Sequence, residues 1–182
     1  ILTEDHVQAK VYKNEISENM KKGKALLFSH GFNIRFKQIK PSKKIDVIMA
    51  SPMLRAEETA GIFSEALRVP VVVNNCLAEI DVGEWNDVSR EKLRAESVEY
   101  QNYRQLPHAE KLKAKMGGHG ESREEVLLRT KQFLRDVLRD YKDKNILIVA
   151  HGCTYAAVEK ILRDCDPEEY FRHEDIGHND IR

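Results

Sequence analysis

Residues 146–152 (ILIVAHG) are an apolar run that ends in a His-Gly pair, and residues 25–31 (ALLFSHG) repeat this pattern. Short apolar runs of this kind predict buried strands of a parallel sheet. Ligands of an open α/β sheet bind outside the carboxyl ends of its strands, so two such strands side by side would bring both imidazoles to one edge. A His pair there suits nucleophilic and acid–base chemistry, because imidazole titrates near neutral pH. The simpler alternative is that each His only closes a strand-to-helix turn.

Strands and helices alternate along the chain. Apolar runs predict further strands at residues 46–50 and 69–73, and helical spacing predicts helices at residues 3–19, 54–67, 122–141 and 155–163. Ser122 and Glu125 form a predicted capping box at the start of the third of these helices. Residues 88–116 are charged and are predicted to be an excursion from the core. The alternation indicates a three-layer α/β/α sandwich with a mostly parallel sheet, and the 182 residues suit a single domain.

Composition narrows the possible partners. Thirty Lys and Arg residues balance thirty Asp and Glu residues, so no overall charge would attract nucleic acid or an anionic membrane. No apolar run approaches the roughly 18 residues of a membrane span. Three cysteines (Cys76, Cys153 and Cys165) are an odd number without metal-ligand spacing, which predicts reduced thiols in a cytoplasmic protein and no metal site.

Several ordered motifs resemble the histidine phosphatase superfamily, the phosphoglycerate mutase-like proteins, from about residue 46 onward. They are residues 51–60 (SPMLRAEETA), residues 77–85 (LAEIDVGEW), residues 120–122 (GES) ahead of a helix that contains Arg129, and residues 149–152 (VAHG). This resemblance implies a phosphoglycerate mutase-like fold and phosphomonoester hydrolysis through a phosphohistidine. It further implies a small phosphorylated substrate or inorganic phosphate as the ligand, and no cofactor.

The resemblance also implies roles for individual residues. Arg55 would grip the phosphoryl group together with Gly152, Glu79 would protonate the leaving oxygen, and His151 would stabilise charge on the transferred phosphoryl. These roles agree with general chemistry, since a cation stabilises phosphoryl charge and a proton donor assists the leaving group. The alternative for Arg55 is an ion pair on the helix surface with Glu58 or Glu79.

The nucleophile of the family comes from an Arg-His-Gly motif at the end of its first strand. Here the comparable residues are Ser29, His30 and Gly31, which would make His30 the nucleophile and Gly31 a phosphoryl contact. The missing Arg would remove a charge-assisted hydrogen bond worth about 1.5–3 kcal/mol. We therefore expect weak or lost phosphatase activity.

The start of the chain resembles a different protein. Residues 8–16 (QAKVYKNEI), 26–39 (LLFSHGFNIRFKQI) and 46–49 (DVIM) are similar to the NADPH-binding domain of ketol-acid reductoisomerase. The two resemblances together indicate a chimera, with residues 1–49 from a reductoisomerase-like fragment and a junction near residues 46–52. The alternative function is therefore an engineered chimeric α/β scaffold without evolved catalysis. Nicotinamide nucleotide binding is less favoured, because the chain lacks the Gly-x-Gly-x-x-Gly loop that holds pyrophosphate.

Overall fold

The computed structural model describes residues 5–19, 25–28, 38–39, 45–164, 166 and 170. Its strands form one parallel sheet with the order β1-β4-β2-β3. The strands are β1 (Ala25–Phe28), β2 (Val47–Ala50), β3 (Val71–Val73) and β4 (Ile146–Val149). The predicted α/β fold with a parallel sheet is confirmed, and the two strands that precede the His-Gly pairs are direct neighbours.

Helices lie between these strands along the chain. They are α1 (Asp5–Val11), α2 (Leu54–Leu67), α3 (Arg90–Glu96), α4 (Val98–Gln105), α5 (His108–Lys113), α6 (Arg123–Asp140) and α7 (Gly152–Arg163). A π-helical turn (Tyr12–Ile16) and a 3-10 turn (Ser17–Asn19) continue α1, and further 3-10 turns cover Asn75–Leu77 and Gly83–Trp85.

Side chains of the two central strands alternate between the two faces of the sheet, as the pleat requires. On one face, the strand residues pack against the π-helical turn and α2; this cluster includes Tyr12, Ile48, Ala50, Ala56, Ala60, Phe63, Leu147 and Val149. On the other face they pack against α6 and the first 3-10 turn after β3; this cluster includes Val47, Met49, Leu77, Phe133, Ile146 and Ile148. The helices on both faces make the three layers that the alternating sequence predicts.

The helix starts show where the sequence prediction was right and where it was wrong. Ser122 and Glu125 form the predicted capping box at the start of α6. Helix α7, in contrast, begins at Gly152 rather than at Tyr155, because the backbone turns into the helix directly after His151. Strand β3 begins at Val71 rather than at residue 69, because Arg68 adopts a left-handed conformation and Pro70 follows it.

The charged excursion has a small core of its own. Residues of α3 and α4 pack around Trp85, whose ring lies edge-on against Tyr100 and Tyr103. This apolar cluster explains how so polar a segment is ordered: its aromatic residues pack together, and its charged residues are exposed except for Lys111, which is buried over the ring of Tyr103. Over the described part of the chain, no helix has the length and apolar character needed to cross a membrane.

Candidate active site

The carboxyl ends of β2 and β4 bring the candidate site residues together. Strand β4 pairs in parallel with β1 on one side, where Phe28 lies opposite Val149, and with β2 on the other, where Ala50 also lies opposite Val149. His30 and Gly31 lie outside the described residues, so the expected convergence of His30 with His151 stays a prediction.

His151 is buried at the junction of β4 and α7. It occupies the N-cap position of α7, but its side chain makes no capping hydrogen bond. Instead, its Nε2 lies 2.7 Å from Oγ of Ser51, the residue that follows β2. The Ser51 hydroxyl oxygen also accepts a hydrogen bond from the backbone N–H of Met53 at 3.2 Å. His151 therefore does more than close a strand-to-helix turn, because its ring is held across the sheet edge.

Two arginines set the electrostatics around this imidazole. Burial, followed by the positive charges of Arg55 and Arg129, lowers the pKa of His151 to about 4. The ring is therefore neutral at physiological pH and sits in a positive field suited to an anion. Arg55 lies exposed in the first turn of α2. Within the described part of the chain it forms no ion pair with Glu58 or Glu79, so the surface ion pair considered above is not formed.

A clamp of hydrogen bonds holds the segment that carries Glu79. Arg129 of α6 pairs with both carboxylate oxygens of Glu121, at 2.9 and 3.0 Å, and its third nitrogen donates to the carbonyl of Cys76 at 2.7 Å. Glu121 in turn accepts a hydrogen bond from the backbone N–H of Asp81 at 3.1 Å. The segment is thus fixed on both sides of Glu79, because Cys76 and Asp81 flank it.

Glu79 is half-buried and lies close to the start of α7. One of its carboxylate oxygens accepts a hydrogen bond from the backbone N–H of Ile80 at 3.0 Å. Burial raises the pKa of the Cys153 thiol to about 11, and the negative charge of Glu79 contributes to this rise. The raised pKa favours the protonated thiol of Cys153 at neutral pH. Because Cys153 is the second residue of α7, the carboxylate approaches the same helix end as His151.

Gly152 opens α7 at this edge of the sheet. It is exposed, and a β-carbon at this position would meet no atom within 4 Å. The first N–H groups of a helix lack intrahelical acceptors and carry partial positive charge, so the free space leaves room for an anion to approach them. Of the predicted site residues, His151 and Gly152 thus lie at the start of α7, and Glu79 follows Ala78, whose carbonyl accepts a hydrogen bond from Thr154 of the same helix; Arg55 acts on His151 through its charge.

Three residues of this arrangement were not assigned a role from the sequence. Ser51 holds His151, Arg129 holds the Glu79 segment, and Thr154 of α7 donates to the carbonyl of Ala78 at 3.1 Å. Ser51 follows a predicted strand directly, and this position is the signal that could have identified it. Among the residues that the structure describes, no cluster of three or more His, Cys, Asp or Glu side chains is arranged to hold a metal ion.

A parallel sheet with helices packed on both faces, and with a buried His at the carboxyl edge of its central strands, defines an α/β protein. The sequence model of the histidine phosphatase superfamily (branch 1) matches residues 35–179, and the chain belongs to that superfamily. The match begins ahead of the junction that the sequence predicts near residues 46–52.

Solved structures share this fold. YhfR from Bacillus stearothermophilus is 21% identical with a TM-score of 0.65, over 76% of this chain and 67% of that protein. A mycobacterial glucosyl-3-phosphoglycerate phosphatase is 23% identical with a TM-score of 0.58, over 70% of this chain and 63% of that one. The α-ribazole phosphatase of Shigella flexneri is 22% identical with a TM-score of 0.58, over 69% and 60% of the two chains.

A curated relative belongs to another class of enzyme. The NAD(+) ketol-acid reductoisomerase of the uncultured archaeon GZfos26G2 is 47% identical over 73 residues. These residues are 40% of this chain and only 22% of the length of that reductoisomerase. The likeness to the reductoisomerase is therefore confined to a part of each protein.

Proposed function

We propose that this chain hydrolyses phosphomonoesters through a phosphohistidine formed on His30. The observation that carries this proposal is the buried, neutral His151 in the field of Arg55 and Arg129, with the Glu79 segment anchored to the helix that His151 begins. Membership of the superfamily supports the same reaction class. So do the names of two structural relatives, a glucosyl-3-phosphoglycerate phosphatase and an α-ribazole phosphatase.

The proposed reaction has two displacement steps. In the first, an imidazole nitrogen of His30 attacks phosphorus, the bond to the ester oxygen breaks, and Glu79 gives its proton to that oxygen. In the second, water attacks the phosphohistidine, the N–P bond breaks, and Glu79 takes the proton from the water. Arg55 and His151 stabilise the charge on the transferred phosphoryl in both steps. No metal or organic cofactor takes part.

The assignment of His30 rests on the motif and on the strand register. Phe28 is paired with Val149, and each is followed two residues later in the sequence by a histidine. The pairing of β1 with β4 also supports a single domain that includes both parts of the chain. Because Ser29 stands where the family has Arg, we propose that the activity is weak.

The test is phosphate release from 4-nitrophenyl phosphate by the wild-type chain and three His→Ala variants. We expect His30→Ala and His151→Ala to lose turnover. The control His108→Ala should retain it, because His108 is a half-buried residue of α5 in the excursion and is not among the residues assigned to the site. Turnover that survives His30→Ala unchanged would overturn the phosphohistidine mechanism.

A second candidate is a folded hybrid without evolved catalysis. The likeness to a reductoisomerase over only 73 residues favours this reading, since it suggests that the chain joins parts of two α/β proteins. The same assay separates the two candidates. The hybrid would be favoured if the wild-type chain unfolds cooperatively in urea, which shows that it is folded, and neither it nor any variant releases phosphate.

A further inference from the structure

We propose that Thr154 is a positioning residue that fixes Glu79 relative to His151 for proton transfer to the leaving group. This inference rests on the proposed function, because it assigns Thr154 a part in the same reaction. Thr154 would not touch the substrate. It would act through the backbone that carries the acid.

The hydroxyl of Thr154 is buried against the Glu79 segment. Thr154 is only 1% exposed, and its Oγ1 donates to the carbonyl oxygen of Ala78 at 3.1 Å, with the carbonyl of Leu77 at 3.4 Å. Ala78 directly precedes Glu79, so this hydrogen bond holds the peptide unit from which the carboxylate extends. On the other side of Glu79, Asp81 is held by Glu121.

The same helical turn holds the imidazole. His151 is the N-cap of α7 and Thr154 is the third helical residue, and the N–H of Tyr155 donates to the His151 carbonyl at 2.9 Å. Residues three apart lie on one side of a helix, so His151 and Thr154 are fixed relative to each other. One rigid turn therefore spans the distance between the two candidate catalytic groups.

Proton donation matters most when the leaving oxygen is basic. Phenoxide is a poor leaving group and needs a proton, whereas 2,4-dinitrophenoxide departs without one. A misplaced Glu79 would therefore slow hydrolysis of phenyl phosphate and spare 2,4-dinitrophenyl phosphate. A merely structural role for Thr154 would slow both substrates alike.

The experiment compares kcat/KM for these two esters in Thr154→Val, Thr154→Ser and the control Thr130→Val. Thr130 is a suitable control because it is fully buried in α6 and its hydroxyl has no hydrogen-bond partner among the described residues. For Thr154→Val we expect a roughly 10–100-fold loss with phenyl phosphate and a change below about threefold with 2,4-dinitrophenyl phosphate. Thr154→Ser should recover most of the activity, and Thr130→Val should leave both rates unchanged.

The outcomes separate this inference from the proposed function. Equal losses on both esters, or no loss on either, would overturn the positioning role while the phosphatase activity of the wild type stands. A wild-type chain that hydrolyses neither ester would overturn the proposed function and the positioning role with it. Urea unfolding of each variant verifies that it is folded. If Thr154→Val does not fold, Thr154→Cys replaces it, because a thiol of similar size is a weaker donor.

Discussion

Nε2 of His151 lies 2.7 Å from Oγ of Ser51, across 100 positions of the sequence. The two residues follow the parallel neighbours β4 and β2, so the hydrogen bond links two strands at their carboxyl ends. The Ser51 oxygen also accepts a hydrogen bond from the N–H of Met53, so this one hydroxyl links the ring of His151 to the chain that follows β2. Ser51 therefore both satisfies a buried ring nitrogen and orients the ring.

Substituting Ser51 by Ala removes both of these hydrogen bonds. We expect the free energy of unfolding to fall by about 1–3 kcal/mol, because the buried imidazole nitrogen loses its partner. Urea unfolding measures this loss. Ser64→Ala is the control, since Ser64 makes a hydrogen bond to the Val69 carbonyl at a half-buried position remote from His151 in the sequence. A loss in Ser51→Ala no larger than in Ser64→Ala would contradict the role given to Ser51.

The low pKa of His151 predicts how stability depends on pH. Burial and the charges of Arg55 and Arg129 hold this pKa at about 4 in the folded chain, against an ordinary value of 6.5. Between these two values, the unfolded chain binds a proton on His151 that the folded chain does not bind. The free energy of unfolding should therefore fall as the pH is lowered from about 6.5 to about 4. Below about pH 4, the contribution of His151 to this free energy should no longer change with pH.

His151→Gln tests this dependence, because glutamine does not titrate. Urea unfolding at a series of pH values gives the free energy of unfolding as a function of pH. Between pH 4 and 6.5 this free energy should depend less steeply on pH in His151→Gln, by an amount that corresponds to the uptake of up to one proton on unfolding. The control Ser64→Ala removes no titratable group and should leave the slope of the wild type intact. Identical slopes for the wild type and His151→Gln would show that the imidazole is not held neutral.

Local patterns in the sequence predicted most of the fold. The apolar runs located β2 and β4, and the Ser122–Glu125 spacing located the start of α6, because such features depend on neighbouring residues. The start of α7 was missed because its first residue, Gly152, has a low helix propensity and reads as a turn.

The candidate site was predicted only in part. Arg55, Glu79 and His151 could be named because they stand in recognisable motifs. The hydrogen bonds Ser51–His151 and Thr154–Ala78 could not, because they join residues 100 and 76 positions apart. Such contacts depend on strand order and on helix placement, which the local sequence does not encode. His30 stays a prediction, since it lies outside the described residues.

Arg129 should not tolerate replacement by Lys. The substitution keeps the charge but loses the paired hydrogen bonds to Glu121 and the bond to the Cys76 carbonyl. We expect the free energy of unfolding to fall by about 1–3 kcal/mol, and phosphatase activity to fall with it. Arg139→Lys is the control, since that exposed ion pair with Asp140 should contribute no measurable stability. Equal unfolding midpoints for the two variants would rule out the clamp.

Gly117 and Gly118 are neighbouring glycines that differ in their surroundings. Gly117 lies against the backbone of residues 82–85, whereas Gly118 faces open space. Both have positive φ, at +51° and +72°, but only at Gly117 would a β-carbon meet backbone atoms, including the Val82 carbonyl and the Glu84 nitrogen. Gly118→Ala should lose about 1 kcal/mol from backbone strain alone. Gly117→Ala should lose more than about 3 kcal/mol, because the backbone itself must move. Similar urea midpoints for the two variants would show that the loops can separate without cost.

Ser29→Arg should increase the phosphatase activity that we propose for this chain. The superfamily motif has Arg at this place, and a charge-assisted hydrogen bond to the phosphoryl group is worth about 1.5–3 kcal/mol. Since about 1.4 kcal/mol corresponds to a factor of ten, we expect kcat/KM for 4-nitrophenyl phosphate to rise roughly 10–100-fold. Ser29→Gln is the control, because it adds length and hydrogen-bond donors without charge. If Ser29→Arg gives no gain, or no more than Ser29→Gln, the missing Arg does not limit the phosphatase activity. A weak activity would then have to be explained by the placement of His30 relative to His151.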